Sequence, residues 1–280
     1  MASIPTLTLR DGEVVPRLGM GTWHMGERAS NRGAEVEALR LGLDHGMNLV
    51  DTAEMYGDGG AESVVGEAIH GWREGVFVVT KFYPHHASRR KLIAACDGSL
   101  AQLGGDTIDL YLLHWRGTVA LEETVATLEE LVRIGKIQRW GVSNFDVADM
   151  EALVAVPNGD RCAANQVLFN LAHRGPEFDL VPWCASRRIP IMAYSPLDEG
   201  RLARHPAVAA VAKGLGVGAG QVALAWVLRH ENVIAIPKAS TRDHVLANRA
   251  AADIHLDSKA LEVLEQSFPA PRRKRPLDMI

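Results

Sequence analysis

The sequence has few cysteines and no long hydrophobic run. Its three cysteines, Cys96, Cys162 and Cys184, are widely separated and form no CxxC pair, so neither a disulfide framework nor a zinc site is indicated. The longest uninterrupted apolar stretch, Val222–Leu228, has seven residues, whereas a membrane helix needs roughly 18. The first residues also lack the basic and apolar regions of a signal peptide. We therefore expect reduced thiols, no membrane partner and a cytoplasmic protein.

An excess of charge of one sign is also missing. The 30 Lys and Arg residues nearly balance the 34 Asp and Glu residues, which gives a formal net charge of -4. This balance argues against nucleic acid as the partner. The one short basic run, Arg272–Arg275, is expected to be solvated. With 47% hydrophobic residues, the chain is typical of a globular protein and not of a disordered or collagen-like one.

Short apolar runs recur along the chain at intervals near 30 residues. They are near-continuously apolar, as is typical of parallel strands covered on both faces. Between them, apolar residues recur at the spacing of one helix face, as in Val36–Leu43 and Thr124–Val132. With Gly21 as the end of a first strand, the runs are Asn48–Asp51, Val76–Lys81, Ile108–His114, Gln138–Ser143, Ala163–Gln166, Ile189–Ser195 and Val233–Pro237.

Eight such strands alternating with helices favour a (β/α)8 TIM barrel, with residues 1–280 as one domain. A Rossmann-like sheet of six or seven strands is the alternative. Before the first strand, Thr6–Val15 alternates apolar and polar residues around Asp11-Gly12, which predicts a short N-terminal β-hairpin.

Polar residues stand where the predicted strands end, which is where a barrel places its active site. Asp51, Lys81 and His114 end three successive strands, and Tyr56 follows Asp51 in a glycine-rich loop. Singly, each has an ordinary structural explanation, such as a helix cap, a solvated lysine or a core histidine. Together they predict an ionisable cluster around a phenol.

This cluster suggests acid catalysis by Tyr56. A phenol has an ordinary pKa of about 10, and a neighbouring Lys81 ammonium would favour its ionised form. Asp51 would pair with Lys81, and His114 would orient a carbonyl group by a hydrogen bond. The hypothesis is a general acid that protonates a carbonyl oxygen near neutral pH.

With these residues placed, the chain resembles the aldo-keto reductase superfamily from end to end. Among the members of that superfamily, it is most similar to the compact bacterial reductases of methylglyoxal and other small aldehydes. The matching motifs, in the order and spacing of the family, are Gly19–Trp23, Asp51–Gly57, Lys81, Leu113–Trp115, Gly141–Phe145, Asn165-Gln166, Ala193–Leu197 and Ile236–Lys238. The resemblance implies a catalytic tetrad of Asp51, Tyr56, Lys81 and His114, with NADPH as the hydride source.

The resemblance also assigns residues to the cofactor. Ser143, Asn144 and Gln166 offer the donors and acceptors that a carboxamide needs, and Tyr194 would stack on the nicotinamide, although helix capping and core packing are the alternatives. The remaining cofactor residues implied are Gly21, Thr22, Trp23, Ser195, Pro196, Leu197 and Ile236.

At the 2′-phosphate the chain departs from the family pattern. Lys238, Ser240 and Thr241 match, but His244 stands where the family has arginine, and Asn248 would meet the adenine edge. Imidazole lacks the bidentate fork of a guanidinium, so we expect NADPH to be preferred but NADH to be discriminated against more weakly. Arg242 could substitute if its side chain reaches.

The substrate end is expected to be apolar. By resemblance, Trp23, Met55, Tyr83 and Trp115 wall the carbonyl pocket, and short surrounding loops favour small or varied aldehydes. The predicted function is reduction of small aldehydes and α-dicarbonyls such as methylglyoxal by a monomer. A cofactor-binding redox sensor with little turnover, or an enzyme that works mainly as an alcohol dehydrogenase, are the alternatives.

Two further motifs are given no role in the chemistry. Gly214–Gly220 has glycines at every second position but no strand before it, so it is interpreted as a flexible connection and not as a dinucleotide loop. His85-His86 lacks cysteine or acidic residues at ligand spacing, and no metal is expected.

Overall fold

The computed structural model describes residues 3–280, and eight parallel strands in it form a barrel. In sequence order these strands are also neighbours in space: β3 Met20–Gly21, β4 Leu49–Asp51, β5 Phe77–Phe82, β6 Leu110–Leu113, β7 Trp140–Ser143, β8 Asn165–Leu168, β9 Ile191–Tyr194 and β10 Val233–Ala235. β10 returns to β3, because Gly19 N donates to Ala235 O at 2.9 Å and Ala235 N donates to Arg17 O at 2.8 Å. The predicted (β/α)8 barrel is confirmed, and the open Rossmann-like sheet was the wrong alternative.

Helices follow the strands and cover the outside of the barrel. They are α1 Arg32–Asp44, α2 Gly60–Ile69, α3 Arg89–Leu103, α4 Leu121–Arg133, α5 Val147–Val154, α6 Leu180–Ser186, α7 Pro206–Leu215, α8 Ala219–Leu228, α9 Arg242–Ala250 and α10 Ser258–Ser267. The two helices that apolar spacing predicts correspond to α1 and α4. Gly46 and Gly135, which follow them, have φ of 83° and 78°, a backbone conformation that favours glycine after a helix end.

The predicted N-terminal hairpin is present and closes one end of the barrel. β1 Thr6–Thr8 pairs antiparallel with β2 Val14–Pro16. Leu9 and Val15 from this hairpin belong to the same apolar cluster as Leu49 and Phe77 from the barrel strands. The hairpin therefore seals the barrel interior at the amino ends of the strands and leaves the carboxyl ends as the place for a site.

The apolar core has two parts, one inside the barrel and a larger one between the strands and the helices. Cys96, Cys162 and Cys184 are free thiols buried in the larger part. Within residues 3–280, no single helix is long and apolar enough to cross a membrane. α7 and α8 reach that length and apolar character only together, and they are bent by 92° relative to each other.

Candidate active site

Four ionisable side chains from three strand ends converge at the carboxyl end of the barrel. Lys81 Nζ lies 2.8 Å from Asp51 Oδ2 and 3.2 Å from Tyr56 Oη. The rings of Tyr56 and His114 are 6.0 Å apart between centroids. All four side chains are at most 8% exposed. The structure therefore brings together the tetrad that the strand ends and the resemblance predict.

The hydrogen bonds of Lys81 determine which way the phenol proton points. The ammonium has three N–H donors, and it donates to Asp51 Oδ2, to Thr52 O at 2.7 Å and to Tyr56 Oη. Tyr56 Oη is therefore an acceptor toward Lys81. Its own O–H remains a donor on the side of the ring that faces the open cavity.

Burial and charge act in opposite directions on these groups. Burial raises the pKa of Tyr56 above its ordinary value, and the opposing effect of Lys81 is smaller. Burial would lower the pKa of Lys81, but Asp51 and Tyr56 together raise it, so the amine stays an ammonium. Burial also raises the pKa of Asp51, opposed by Lys81 and by a 2.7 Å hydrogen bond from Gln166 Nε2. The expectation that Lys81 would lower the pKa of Tyr56 has the right sign for that charge, but burial outweighs it and the net shift is upward.

His114 is held as a neutral imidazole. Burial, followed by the charge of Lys81, lowers its pKa to about 3. Its Nδ1 atom is buried and has no hydrogen-bond partner among residues 3–280, while its carbonyl oxygen accepts from Asn144 Nδ2 at 3.1 Å. A neutral imidazole in the cavity wall can donate or accept one hydrogen bond without bringing a charge.

The tetrad lies at one end of a cavity of about 640 Å³, a size typical of small-molecule sites. Nearly all of the predicted cofactor residues line it: Gly21, Thr22, Trp23, Ser143, Asn144, Gln166, Tyr194, Ser195, Pro196, Leu197, Ile236, Lys238, His244 and Asn248. Ser240 and Thr241 stand just outside the lining.

The predicted carboxamide grip is a preorganised set of polar groups. Ser143 Oγ donates to Gln166 O at 2.9 Å, and Asn144 Oδ1 accepts from Tyr194 Oη at 3.1 Å. Asn144 has a φ of 59°, a left-handed conformation that is sparsely populated for residues other than glycine. These bonds fix the side chains in place before any ligand binds.

The far end of the cavity carries the predicted phosphate residues. Lys238 Nζ lies 3.3 Å from Ser240 Oγ, and Thr241 Oγ1 accepts from His244 N at 3.4 Å as the N-cap of α9. Lys238 and His244 are both exposed at the rim. Gly21 allows this edge to close, because a Cβ there would come within 2.7 Å of the Ile236 carbonyl oxygen.

The predicted substrate residues fall in two places. Trp23, Met55 and Trp115 line the cavity beside Tyr56, and the Trp23 ring packs edge-on against Tyr56 at 4.8 Å. Tyr83 does not line the cavity. Its ring packs edge-on against Trp115, which does line the cavity, with ring centroids 6.0 Å apart.

Several residues in the cavity wall were missed by the sequence analysis. They are His24, Glu199, Gly200, Ala203, Gly218, Gly220, Gln221, Ala247, Met279 and Ile280. Gly218 and Gly220 belong to the run interpreted as a flexible connection. Gly218 does lie between α7 and α8, but Gly220 is in the first turn of α8, and both line the cavity wall. The glycine spacing was the available signal. No local pattern indicates that Met279 and Ile280 return to the barrel mouth.

The adjacent histidines have an acidic neighbour that their spacing did not reveal. Glu54 Oε1 accepts from His86 Nδ1 at 2.9 Å and from Tyr83 N at 2.5 Å. This carboxylate ties the loop after β5 to the loop that carries Tyr56. Over the described range 3–280, no group of three His, Cys, Asp or Glu side chains could hold a metal ion.

Comparisons with known proteins agree with this geometry. The sequence model of the Aldo/keto reductase family matches residues 17–267. Over 95% of both chains, the sequence is 52% identical to methylglyoxal reductase YeaE of Escherichia coli, and over 93% of both it is 31% identical to an uncharacterized oxidoreductase, YtbE, of Bacillus subtilis. A crystal structure of a Klebsiella pneumoniae aldo/keto reductase in complex with NADP and acetate superimposes with a TM-score of 0.97, at 50% identity, covering 99% of this chain and all of that one. The chain belongs to the aldo/keto reductase family.

Proposed function

We propose that this protein reduces small aldehydes and α-dicarbonyls such as methylglyoxal to alcohols, with NADPH as the reductant and Tyr56 as the general acid. The observation that carries the proposal is the Tyr56 hydroxyl, which accepts a hydrogen bond from Lys81 and faces the cavity. The methylglyoxal reductase named above and the NADP-bound relative support the substrate and the cofactor.

The residues present fit a nicotinamide dinucleotide. The cavity runs from the tetrad to Lys238, so one end offers carboxamide partners and the other a cation for a phosphate. The unpartnered Nδ1 of His114 shows that the tetrad end holds an unused polar atom. When bound, the reduced nicotinamide supplies a hydride to the carbonyl carbon.

The protein's own groups handle the proton. Tyr56 donates its O–H proton to the carbonyl oxygen as that oxygen gains negative charge, and the phenolate left behind is stabilised by the Lys81 ammonium 3.2 Å away. Asp51 keeps the ammonium charged and aimed. Neutral His114 orients the carbonyl by a hydrogen bond, and the phenol is reprotonated from solvent after the alcohol leaves.

Selection of NADPH over NADH would rest mainly on Lys238. Its ammonium is a compact point charge at the predicted phosphate site. His244 lies at the same rim but offers a single donor when neutral. We therefore propose a preference for NADPH with measurable use of NADH.

The proposal also covers the oligomeric state, the domain organisation and the location of the protein. We propose that the protein is a monomer. The barrel strands extend from Met20 to Ala235, which supports a single domain over 1–280. Three buried free thiols support a reducing compartment such as the cytoplasm. Light scattering after size exclusion tests the monomer.

The direct experiment is a panel of carbonyl substrates assayed separately with NADPH and with NADH. The proposal expects turnover of methylglyoxal and of small aldehydes, with kcat/KM higher for NADPH. Tight NADPH binding without turnover of any carbonyl would favour the sensor alternative instead. Assays with the product alcohols and NADP+ measure the reverse direction.

A further inference from the structure

Three segments that line or border the cavity meet at one histidine. His173 Nδ1 lies 2.7 Å from Asp278 Oδ2, in the 269–280 segment that follows α10. His173 Nε2 lies 3.5 Å from Asp198 Oδ1, in the loop after β9. His173 itself belongs to the 170–174 turn after β8. The imidazole thus contacts a carboxylate on each side, from two segments far apart in sequence.

The turn that carries His173 is rigid. Asn170 is fully buried, and its Oδ1 accepts from Ala172 N at 2.9 Å and from His173 N at 3.0 Å. Its Nδ2 donates to Ser195 O at 2.9 Å. Because Asn170 fixes the turn internally and binds it to the start of the β9 loop, the backbone of His173 is tied to that loop.

The β9 loop has a backbone that must be held in place. Ser195, Asp198 and Glu199 all have positive φ, between 47° and 51°, a conformation that non-glycine residues keep only where the surroundings fix it. Asp198 is buried and accepts two hydrogen bonds from Arg201, at 2.8 and 2.9 Å. Ser195 and Glu199 line the cavity, so a ligand there would contact this loop directly.

The 269–280 segment contributes its last two residues to the cavity wall. Met279 and Ile280 line the same cavity, next to Asp278. The start of the segment is held by Arg174, which donates to Phe268 O and to Glu265 Oε2. In the middle, Lys274 Nζ lies 3.3 Å from Asp146 and 3.7 Å from Asp179.

We propose that His173 is a positioning residue that couples cofactor binding to closure of the substrate pocket by the 269–280 segment. The inference rests on the proposed function, in which the β9 loop holds the cofactor. A dinucleotide that fixes the β9 loop fixes Asp198, which holds the His173 ring in contact with Asp278 and so favours the docked position of Met279 and Ile280. The coupling is reciprocal, so the docked segment also tightens cofactor binding.

The segment carries its own reporter of docking. Arg272 and Arg273 are exposed, so an arginine-specific protease can cut there when the segment lifts away. The rate of release of the C-terminal peptide, measured by mass spectrometry with and without saturating NADP+, gives a protection ratio. Wild type is expected to show protection of about fivefold or more, the lower end of typical coupling. His173→Ala and Asp278→Asn are expected to give ratios near one.

Matched variants separate coupling from simple loosening. Lys274→Gln removes a charged contact of the same segment that does not involve His173, so it should raise the cleavage rate but keep the protection ratio. Asp278→Glu should restore the ratio. In steady state, Asp278→Asn should raise the KM for methylglyoxal with little change in kcat. Its dissociation constant for NADP+ should rise by the same factor as the wild-type protection ratio.

The outcomes distinguish the inference from the proposed function. Binding of NADP+ is measured independently by the quenching of tryptophan fluorescence. If wild type binds NADP+ but the protection ratio is the same in wild type, His173→Ala and Asp278→Asn, the coupling is refuted and the reductase assignment stands. If wild type does not bind NADP+, the proposed function fails and the coupling fails with it.

Discussion

Replacing Lys81 by methionine tests the electrostatics of the tetrad. Lys81 is fully buried and donates to Asp51, Thr52 O and Tyr56. Methionine has a similar volume but no donor. The variant therefore leaves the Asp51 carboxylate buried, with the hydrogen bond from Gln166 as its main remaining support.

The expected loss of folding stability is large and depends on pH. Removing one partner of a buried ion pair costs about 3–5 kcal/mol. Burial already raises the pKa of Asp51, and Lys81 opposes that shift, so the Asp51 pKa of the variant should rise further. When the pKa of a carboxyl is higher in the folded than in the unfolded state, the free energy of unfolding falls as pH rises between the two pKa values, by about 1.4 kcal/mol per pH unit.

Urea denaturation of wild type and Lys81→Met at pH 5, 6, 7 and 8 measures this effect. The stability difference should be smallest at pH 5, where the carboxyl of the variant can take up a proton, and should widen toward pH 8. A difference below about 1 kcal/mol, or one that stays constant across this range, would refute the reasoning.

Two control variants test whether the unpaired Asp51 charge causes the loss of stability. The double variant Lys81→Met/Asp51→Asn removes both charges and should recover more than half of the lost stability, because an unpaired buried charge is the main cost. Lys238→Met removes an exposed lysine, and its stability should stay within about 0.5 kcal/mol of wild type at every pH.

Three further predictions concern single residues. Lys238→Met should raise the KM for NADPH about tenfold, with a much smaller effect on NADH, since only NADPH offers the 2′-phosphate; equal effects on both cofactors would remove Lys238 from the phosphate site. His244→Arg should increase the ratio of kcat/KM for NADPH over NADH several-fold, because a guanidinium adds a charged bidentate donor; an unchanged ratio would place His244 outside that site. Burial lowers the pKa of His114 to about 3, so below pH 6.5 the imidazole is protonated in the unfolded chain but stays neutral in the folded protein. Wild type should therefore lose more stability between pH 6.5 and 4 than His114→Gln, as measured by urea denaturation. Parallel stability curves for the two proteins would contradict a neutral buried imidazole.

The architecture and the tetrad could be predicted because each rests on a local pattern. Buried parallel strands are recognisable as apolar runs, and the carboxyl ends of those runs are adjacent in a barrel, so Asp51, Lys81 and His114 could be placed together from sequence. Tyr56 follows Asp51 by only a few residues in the same loop, so its phenol could be placed beside the other three groups. Only the converging geometry showed that all three donors of Lys81 are in use.

Other features depend on contacts between distant segments. Met279 and Ile280 reach the cavity because Asp278 contacts the His173 imidazole and Lys274 contacts the Asp146 carboxylate, each about 100 residues away or more. No local sequence pattern indicates those pairs. The raised pKa of Tyr56 is mainly an effect of burial, which depends on how tightly the surrounding loops pack. Gly218 and Gly220 were visible as a motif, but their place in the wall depends on where α8 begins.

The most direct test of the account is the single-turnover rate of Tyr56→Phe with NADPH and methylglyoxal, measured together with its NADPH dissociation constant. Phenylalanine keeps the ring against Trp23 and removes the hydroxyl that accepts from Lys81. The account predicts a rate lower by about 10²-fold or more, with the dissociation constant within about twofold of wild type. A variant that reduces methylglyoxal at nearly the wild-type rate would show that the proton comes from another group.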